Sequence, residues 1–166
     1  MATLIGNETN LVDLLKHLIE LDFDAIEAYQ AAIERLTDPS FKSVLREFMA
    51  DHGRHTQDLS PFVSAMGEDP PTQGDLKSIL TKGKVLIGQV TGDAGILSAM
   101  RSNEDDTNTA YERAVERADV PVDIRDALQR ALADERRHRA WIEGTLQRIE
   151  AGIQTSSAAG TESPAV

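Results

Sequence analysis

Apolar residues recur at alternating steps of four and three along four long segments of this chain, roughly residues 9–37, 40–67, 93–118 and 122–150, and no sustained strand pattern interrupts them. That spacing marks the inward seam of a helix packed in a bundle. Along the first segment the seam reads Leu11, Leu15, Leu18, Asp22, Ala25, Tyr29, Ala32 and Leu36; along the second, Phe41, Leu45, Phe48, His52, His55, Leu59, Phe62 and Met66. The third gives Leu97, Met100, Glu104, Thr107, Tyr111, Ala114 and Ala118, and the fourth Ile124, Leu128, Ala131, Glu135, His138, Ile142, Thr145 and Ile149. Every seam turns polar at its middle. The breaks between segments carry turn chemistry, at "TDPS", "MGEDPPTQG" and "ADVPVD".

The two halves of the chain repeat one another. A shift of 82 residues lays Asp22 on Glu104 and Tyr29 on Tyr111; past the proline turn a shift of 83 lays "ADHGRH" at 50–55 on "ADERRH" at 133–138. Two related helical hairpins joined by a long crossover, residues 67–92, predict an all-α, antiparallel four-helix bundle over 1–151. Within the crossover, "LKSILTKGKVLIGQV" has the apolar pattern of a short extra helix. Residues 152–166 are small, polar and nearly uncharged, which predicts a disordered C-terminal tail.

A chain of 166 residues fits one domain and can bury a single core. It has no cysteine, which removes disulfides, thiolate metal sites, iron–sulfur clusters and thiol nucleophiles together. A formal charge of -11 argues against nucleic acid as a partner, because binding phosphates needs a surplus of Lys and Arg. No charged leader precedes an apolar stretch and no run is long enough to span a bilayer, so a cytoplasmic protein without a membrane partner is expected.

Burying an ionised carboxylate costs several kcal/mol unless it is paired or bound to a cation. Asp22, Glu104 and Glu135 would meet His52, His55 and His138 in the core, and no Lys or Arg lies on any seam to neutralise them. One or two divalent cations are the natural compensation, and mixed imidazole and carboxylate donors suit iron, manganese or zinc better than calcium or magnesium. Tyr29 and Tyr111, each seven residues after the first acid of its half, are either core aromatics with a polar tip or supporting donors to the metal-binding carboxylates. Asp51 and Asp134 point about 100° away from the seam and take solvated or supporting roles. His17 falls off the seam as a surface histidine, and Glu20 and Glu27 also lie off it.

With these residues in place the chain resembles the ferritin-like superfamily over about 9–150, in particular its rubrerythrin-like and small ferritin-like bundle proteins of unassigned function. The superfamily pattern is an acid on helix one, Glu-x-x-His on helix two, an acid on helix three and Glu-x-x-His on helix four, around a di-iron or related dimetal centre. Carried over by position, the resemblance implies Asp22, His52 with His55, Glu104, and Glu135 with His138 as metal ligands, with Tyr29 and Tyr111 as supporting catalytic donors. It implies iron as the cofactor, a di-iron centre above all, with manganese or zinc as the other candidates. Two departures stand out: Asp22 is shorter than the usual Glu, and His52 stands where the pattern has a metal-bridging Glu, a change that disfavours iron(III) oxidation chemistry or a second occupied position. Rubrerythrins also carry a cysteine-ligated electron-transfer domain, for which this chain has neither cysteine nor room, so the reductant would be a separate electron donor.

Three functions follow as expectations: an oxidoreductase acting on oxygen, peroxide or ferrous iron; a metal-binding or storage protein without turnover; and a stress-related interaction bundle with a degenerate metal site. A second apolar stripe on the first helix, Ile19, Phe23, Ile26 and Ile33, needs cover, either from a partner subunit in a homodimer or from the crossover residues Leu76, Ile79, Leu80, Leu86 and Ile87.

Overall fold

A computed structural model describes residues 3–73, 87–88 and 90–159, with side chains to residue 152. Among the described residues there are four long helices and no strand: α1 (Leu11–Arg35), α2 (Pro39–Ala65), α3 (Gly92–Glu116) and α4 (Val122–Ala159). They form a helical bundle in which α1 packs on α2 and α3, and α4 packs on α3 and α2.

The helix starts follow local chemistry. Asn10 caps α1, its side chain accepting from the Asp13 backbone N–H at 2.8 Å. Asp38 caps α2 in the same way, accepting from Ser40 N at 2.8 Å, with Pro39 at the first turn, where its missing N–H costs nothing. The turn between α1 and α2 is then tied to the start of α3: the Asp93 carboxylate accepts from Thr37 N, Thr37 Oγ1 and Asp38 N at 2.8–3.0 Å. At the opposite turn Arg125 donates to the carbonyls of Val115, Arg117 and Val120, satisfying acceptors left open where α3 ends.

Two apolar clusters fill the interior. One gathers Leu14, Leu15, Leu18, Leu59, Val63, Tyr111, Ala114, Ile124 and Leu128, the other Tyr29, Ala32, Leu36, Leu45, Phe48, Leu97, Met100 and Ile142. Along every helix the residues of one cluster precede, and those of the other follow, the polar positions Asp22, His52 with His55, Glu104 and Glu135 with His138. The polar layer is therefore enclosed at mid-bundle. The seams match the burial except at their ends: Met66 is 40% exposed and Ala118 is exposed, because both lie past the last helical turn and no neighbour covers them.

Of the second stripe on α1, Ile19 and Ile33 are buried while Phe23 and Ile26 are half-buried. Ile87, from the crossover, is buried in the same cluster as Ile33. Leu76, Ile79, Leu80, Leu86 and most of the expected extra helix lie outside the described residues. Helical backbone in α4 continues past the boundary at 152 placed on the tail and ends at Ala159, since extending an existing helix needs no nucleation and no tertiary partner; residues 160–166 lie outside the description. No described helix is long and apolar enough to cross a membrane.

Leu128 is fully buried in the first cluster. Leu128→Ala should lower the unfolding free energy by about 2–5 kcal/mol in a denaturant titration, the cost of a core cavity.

Candidate metal centre

Asp22 enters from α1, His52 and His55 from α2, Glu104 from α3, and Glu135 and His138 from α4; five are completely buried and His55 is 2% exposed. Their ligand atoms fall into two groups of four that share members: Asp22, His52, His55 and Glu135; and His52, Glu104, Glu135 and His138. Within each group one donor atom per residue lies within 4.8 Å of every other. Each helix contributes because a single step of three or four residues keeps a side chain on the inward face.

The first group has the dimensions of a metal site. His52 Nδ1 is 2.9 Å from Asp22 Oδ1 and 3.4 Å from Glu135 Oε1, while His55 Nδ1 is 3.4 Å from Asp22 Oδ1 and 3.3 Å from Glu135 Oε1. Ligands at the bond lengths of zinc or a similar ion stand about 3.3–3.6 Å apart at the corners of a tetrahedron. Three of these four edges meet that figure without rearrangement. The second group is wider, with His52 Nε2 3.8 Å from Glu104 Oε1 and His138 Nδ1 3.6 Å from Glu104 Oε2. Across the two groups His52 Nε2, Glu104 Oε2, both Glu135 oxygens and His138 Nδ1 are buried without a hydrogen-bond partner. Orphaned polar atoms are rare in protein interiors, and five in one buried layer fit a cation.

A second ring of residues orients these donors. Tyr29 Oη donates to Glu104 Oε1 at 2.5 Å and Tyr111 Oη to Asp22 Oδ2 at 2.6 Å, so each tyrosine bonds the acid of the other half. His138 Nε2 lies 3.0 Å from Asp51 Oδ2, and His55 Nε2 lies 3.3 Å from Asp134 Oδ2. Each histidine thus turns Nδ1 inward and Nε2 to a carboxylate on the opposite helix of the α2–α4 pair, which fixes ring orientation. Arg54 and Arg137, half-exposed, cap this face: Arg54 pairs with Asp51 at 2.7 Å and Asp134 at 2.6 Å, and Arg137 pairs with Asp134 at 3.0 Å and also with Asp51. Asn108 Nδ2 donates to the Glu104 and Glu135 carbonyls, tying α3 to α4 beside the buried carboxylates. Phe48 stacks on the His138 ring at 4.2 Å between centroids.

The protonation equilibria reflect the crowding. Burial pushes the Asp22 carboxyl up, but hydrogen bonds with His52 and His55 outweigh it and leave the group below its ordinary value. Burial likewise opposes ionisation of Glu104, yet the His138 and His52 imidazoles opposite bring it down to about 2. Glu135 is raised, by burial first and by the Glu104 and Asp22 charges, although the facing imidazoles counteract them. Burial disfavours imidazolium at His52 and His55, but the Glu135 charge and the Asp22 hydrogen bond hold His52 well above the usual range, and the Asp22 hydrogen bond with the Glu135 carboxylate 3.3 Å away holds His55 at about 10. Burial, then the neighbouring carboxylates, raise Tyr29 and Tyr111, which stay protonated donors.

All six residues singled out as metal ligands thus come together, and both tyrosines reach the carboxylates. His17 lies apart, paired with Glu8 at 2.9 Å, and Glu20 and Glu27 fall outside both donor groups. Asp51 and Asp134 take the supporting role, the second of the two left open for them, whereas the parts played by Arg54, Arg137 and Asn108 escaped the seam analysis. A signal for the two arginines existed: Asp and Arg recur three apart in both halves of the repeated frame, Asp51–Arg54 and Asp134–Arg137.

Residues 10–117 match the family described as Domain of unknown function (DUF2383), and the chain belongs to that family. The match takes in α1, α2 and α3 with Asp22, His52, His55 and Glu104; Glu135 and His138 lie beyond it. No curated protein and no solved structure matches the chain.

The shifts set a pH window for the metal-free protein. Asp22 and Glu104, lowered on folding, contribute stability above their ordinary values of 3.8 and 4.5 and lose it as pH falls, in the case of Glu104 toward about 2. His52 and His55, raised on folding, contribute fully below 6.5 and lose it as pH rises, for His55 toward about 10. Glu135, raised on folding, contributes below 4.5 and loses that contribution as pH rises, so metal-free protein should melt highest toward the lower end of the range between about pH 4.5 and 6.5 and lower on both sides, as measured by thermal scans in chelator.

Proposed function

We propose that the protein is a ferritin-like, non-haem metal-binding protein with a dimetal centre, acting as an oxidoreductase on oxygen, peroxide or ferrous iron. The observation that carries the reading is the pair of overlapping, buried donor groups joined at His52 and Glu135. The order of the two apolar clusters, reversed between α1 and α2 and again between α3 and α4, supports antiparallel neighbours of the ferritin-like kind. Asp22, His52, His55 and Glu135 would hold one ion, and Glu104, Glu135 and His138, with His52, the other. Iron or manganese there would supply one-electron chemistry toward oxygen or peroxide.

The chain's own residues do the rest. Tyr29 and Tyr111 donate to the carboxylates and hold Glu104 and Asp22 with their remaining lone pairs turned inward. Asp51 and Asp134 lock the outer nitrogens of His138 and His55. The apolar clusters above and below exclude water, and with no cysteine in the sequence the electrons would come from a separate donor. The same reading places the protein in the cytoplasm as a homodimer built on the half-buried Phe23 and Ile26 of α1; a monomer in light scattering at micromolar concentration would remove the dimer. The second reading, a metal-binding or stress-related bundle without turnover, is favoured by one observation: an imidazole, His52, where a fourth carboxylate would stabilise oxidised iron.

Two measurements test this. Iron(II), manganese(II) or zinc(II) at a hundredfold over Kd should raise the melting temperature by about 5–10 °C, from about 2.7 kcal/mol of linkage. Glu135→Ala, which removes a member of both groups, should abolish the gain, and His17→Ala should leave it intact. Oxygen uptake on adding ferrous iron, lost in Glu135→Ala, separates the oxidoreductase from the non-catalytic reading; metal-dependent melting without uptake selects the latter.

A further inference from the structure

We propose that His52 is itself the bridge of the centre, binding one metal ion through Nδ1 and a second through Nε2, so that the imidazole ring stands between the two positions. The inference rests on the metal-binding reading above and specifies how that site is joined.

The three buried histidines differ in what their two nitrogens face. His55 turns Nδ1 to Asp22 and Glu135 and Nε2 to the outer Asp134; His138 turns Nδ1 to Glu104 and Nε2 to the outer Asp51. Each presents one nitrogen to the centre and anchors the other outside it. His52 has no such anchor. Its Nδ1 is 2.9 Å from Asp22 Oδ1 and 3.4 Å from Glu135 Oε1, inside the first donor group. Its Nε2 faces Glu104 Oε1 of the second group at 3.8 Å, too far for a hydrogen bond, and has no other partner although the ring is fully buried.

The lone pairs of the two ring nitrogens diverge, so one imidazole cannot give both to a single ion. Two ions, one on each side, use both. Asp51 and Asp134, the carboxylates that anchor the other two rings, already bond His138 and His55 and two arginines. It follows that a ring bound at both nitrogens carries no N–H, and its proton passes to solvent as the second ion enters. The resulting negative charge joins those of Asp22, Glu104 and Glu135, and the four balance two divalent ions.

Geometry makes the test direct. A ring nitrogen separation of about 2.2 Å with a bond of about 2.0 Å at each end puts the ions roughly 6 Å apart, against about 3.5–4 Å for ordinary two-metal sites. Zinc(II) is added to the purified full chain, bound ions are counted by native mass spectrometry, and their positions are read from anomalous diffraction. The expected result is two zinc ions per chain, roughly 6 Å apart, on opposite sides of His52. In H52E, where a carboxylate replaces the ring, the pair should close to about 3.5–4 Å. Two ions with His52 on only one of them, a single ion, or a separation unchanged in H52E would overturn the bridge while leaving the metal-binding reading standing. No zinc bound to the native chain would overturn both.

Discussion

Three carboxylates and three imidazoles share one enclosed layer between two apolar clusters, and the bundle can keep them there only because each faces groups that offset its charge. In the interior an ionised group has no water to fall back on, so its stability depends on the charges and hydrogen bonds its neighbours supply. Asp22 lies against His52 and His55, and Glu104 against His52 and His138, which is why both acids ionise readily despite burial. Glu135 is the exception. With His52 it makes the one edge that the two donor groups share, neither of its oxygens has a hydrogen-bond partner, and its carboxyl is raised. The unbalanced member of the layer is thus one of the two residues common to both groups.

Around this layer the two halves of the repeat complete each other. Tyr29 serves the acid of the second half and Tyr111 that of the first; Asp51 holds His138 and Asp134 holds His55. Arg54 and Arg137 each bind both outer aspartates, which closes the exchange on the face between α2 and α4. Neither hairpin alone could satisfy its buried polar groups, so the layer holds the bundle together as well as forming the candidate site. The repeat breaks twice in the layer, Asp22 against Glu104 and His52 against Glu135; since both donor groups share His52 and Glu135, the first break is what gives the two groups unlike acids.

Much of this was legible before any coordinates. Steps of four and three put Asp22 in register with Leu18 and Ala25, and His138 in register with Ala131 and Ile142, so burial of the six candidate ligand residues followed from helical geometry alone. The seam failed where it was extended past a helix end, at Met66 and Ala118, since periodicity does not know where the last turn stops. For Asp51 it left a solvated and a supporting role open, and the packing selects the second. A residue about 100° from the seam points away from the bundle axis, yet that direction is toward α4, and Asp51 is 9% exposed against His138. Direction relative to one helix axis does not say which neighbour lies there.

The sequence by itself determined the four helices, the repeat and the identity of the buried polar residues, because all three follow from spacing along a chain of known period. Only the tertiary structure decided which oxygen meets which nitrogen. Tyr29 reaches Glu104 across 75 positions, and Asp51 reaches His138 across 87. Such pairings depend on how helices are rotated and staggered against one another, which is set by the packing of whole apolar faces and leaves no mark on the local pattern of either partner. The two faces of the His52 ring are the clearest case. The sequence places a histidine in the layer, but only the packing of α2 between α1 and α4 sets one nitrogen toward Asp22 and the other toward Glu104.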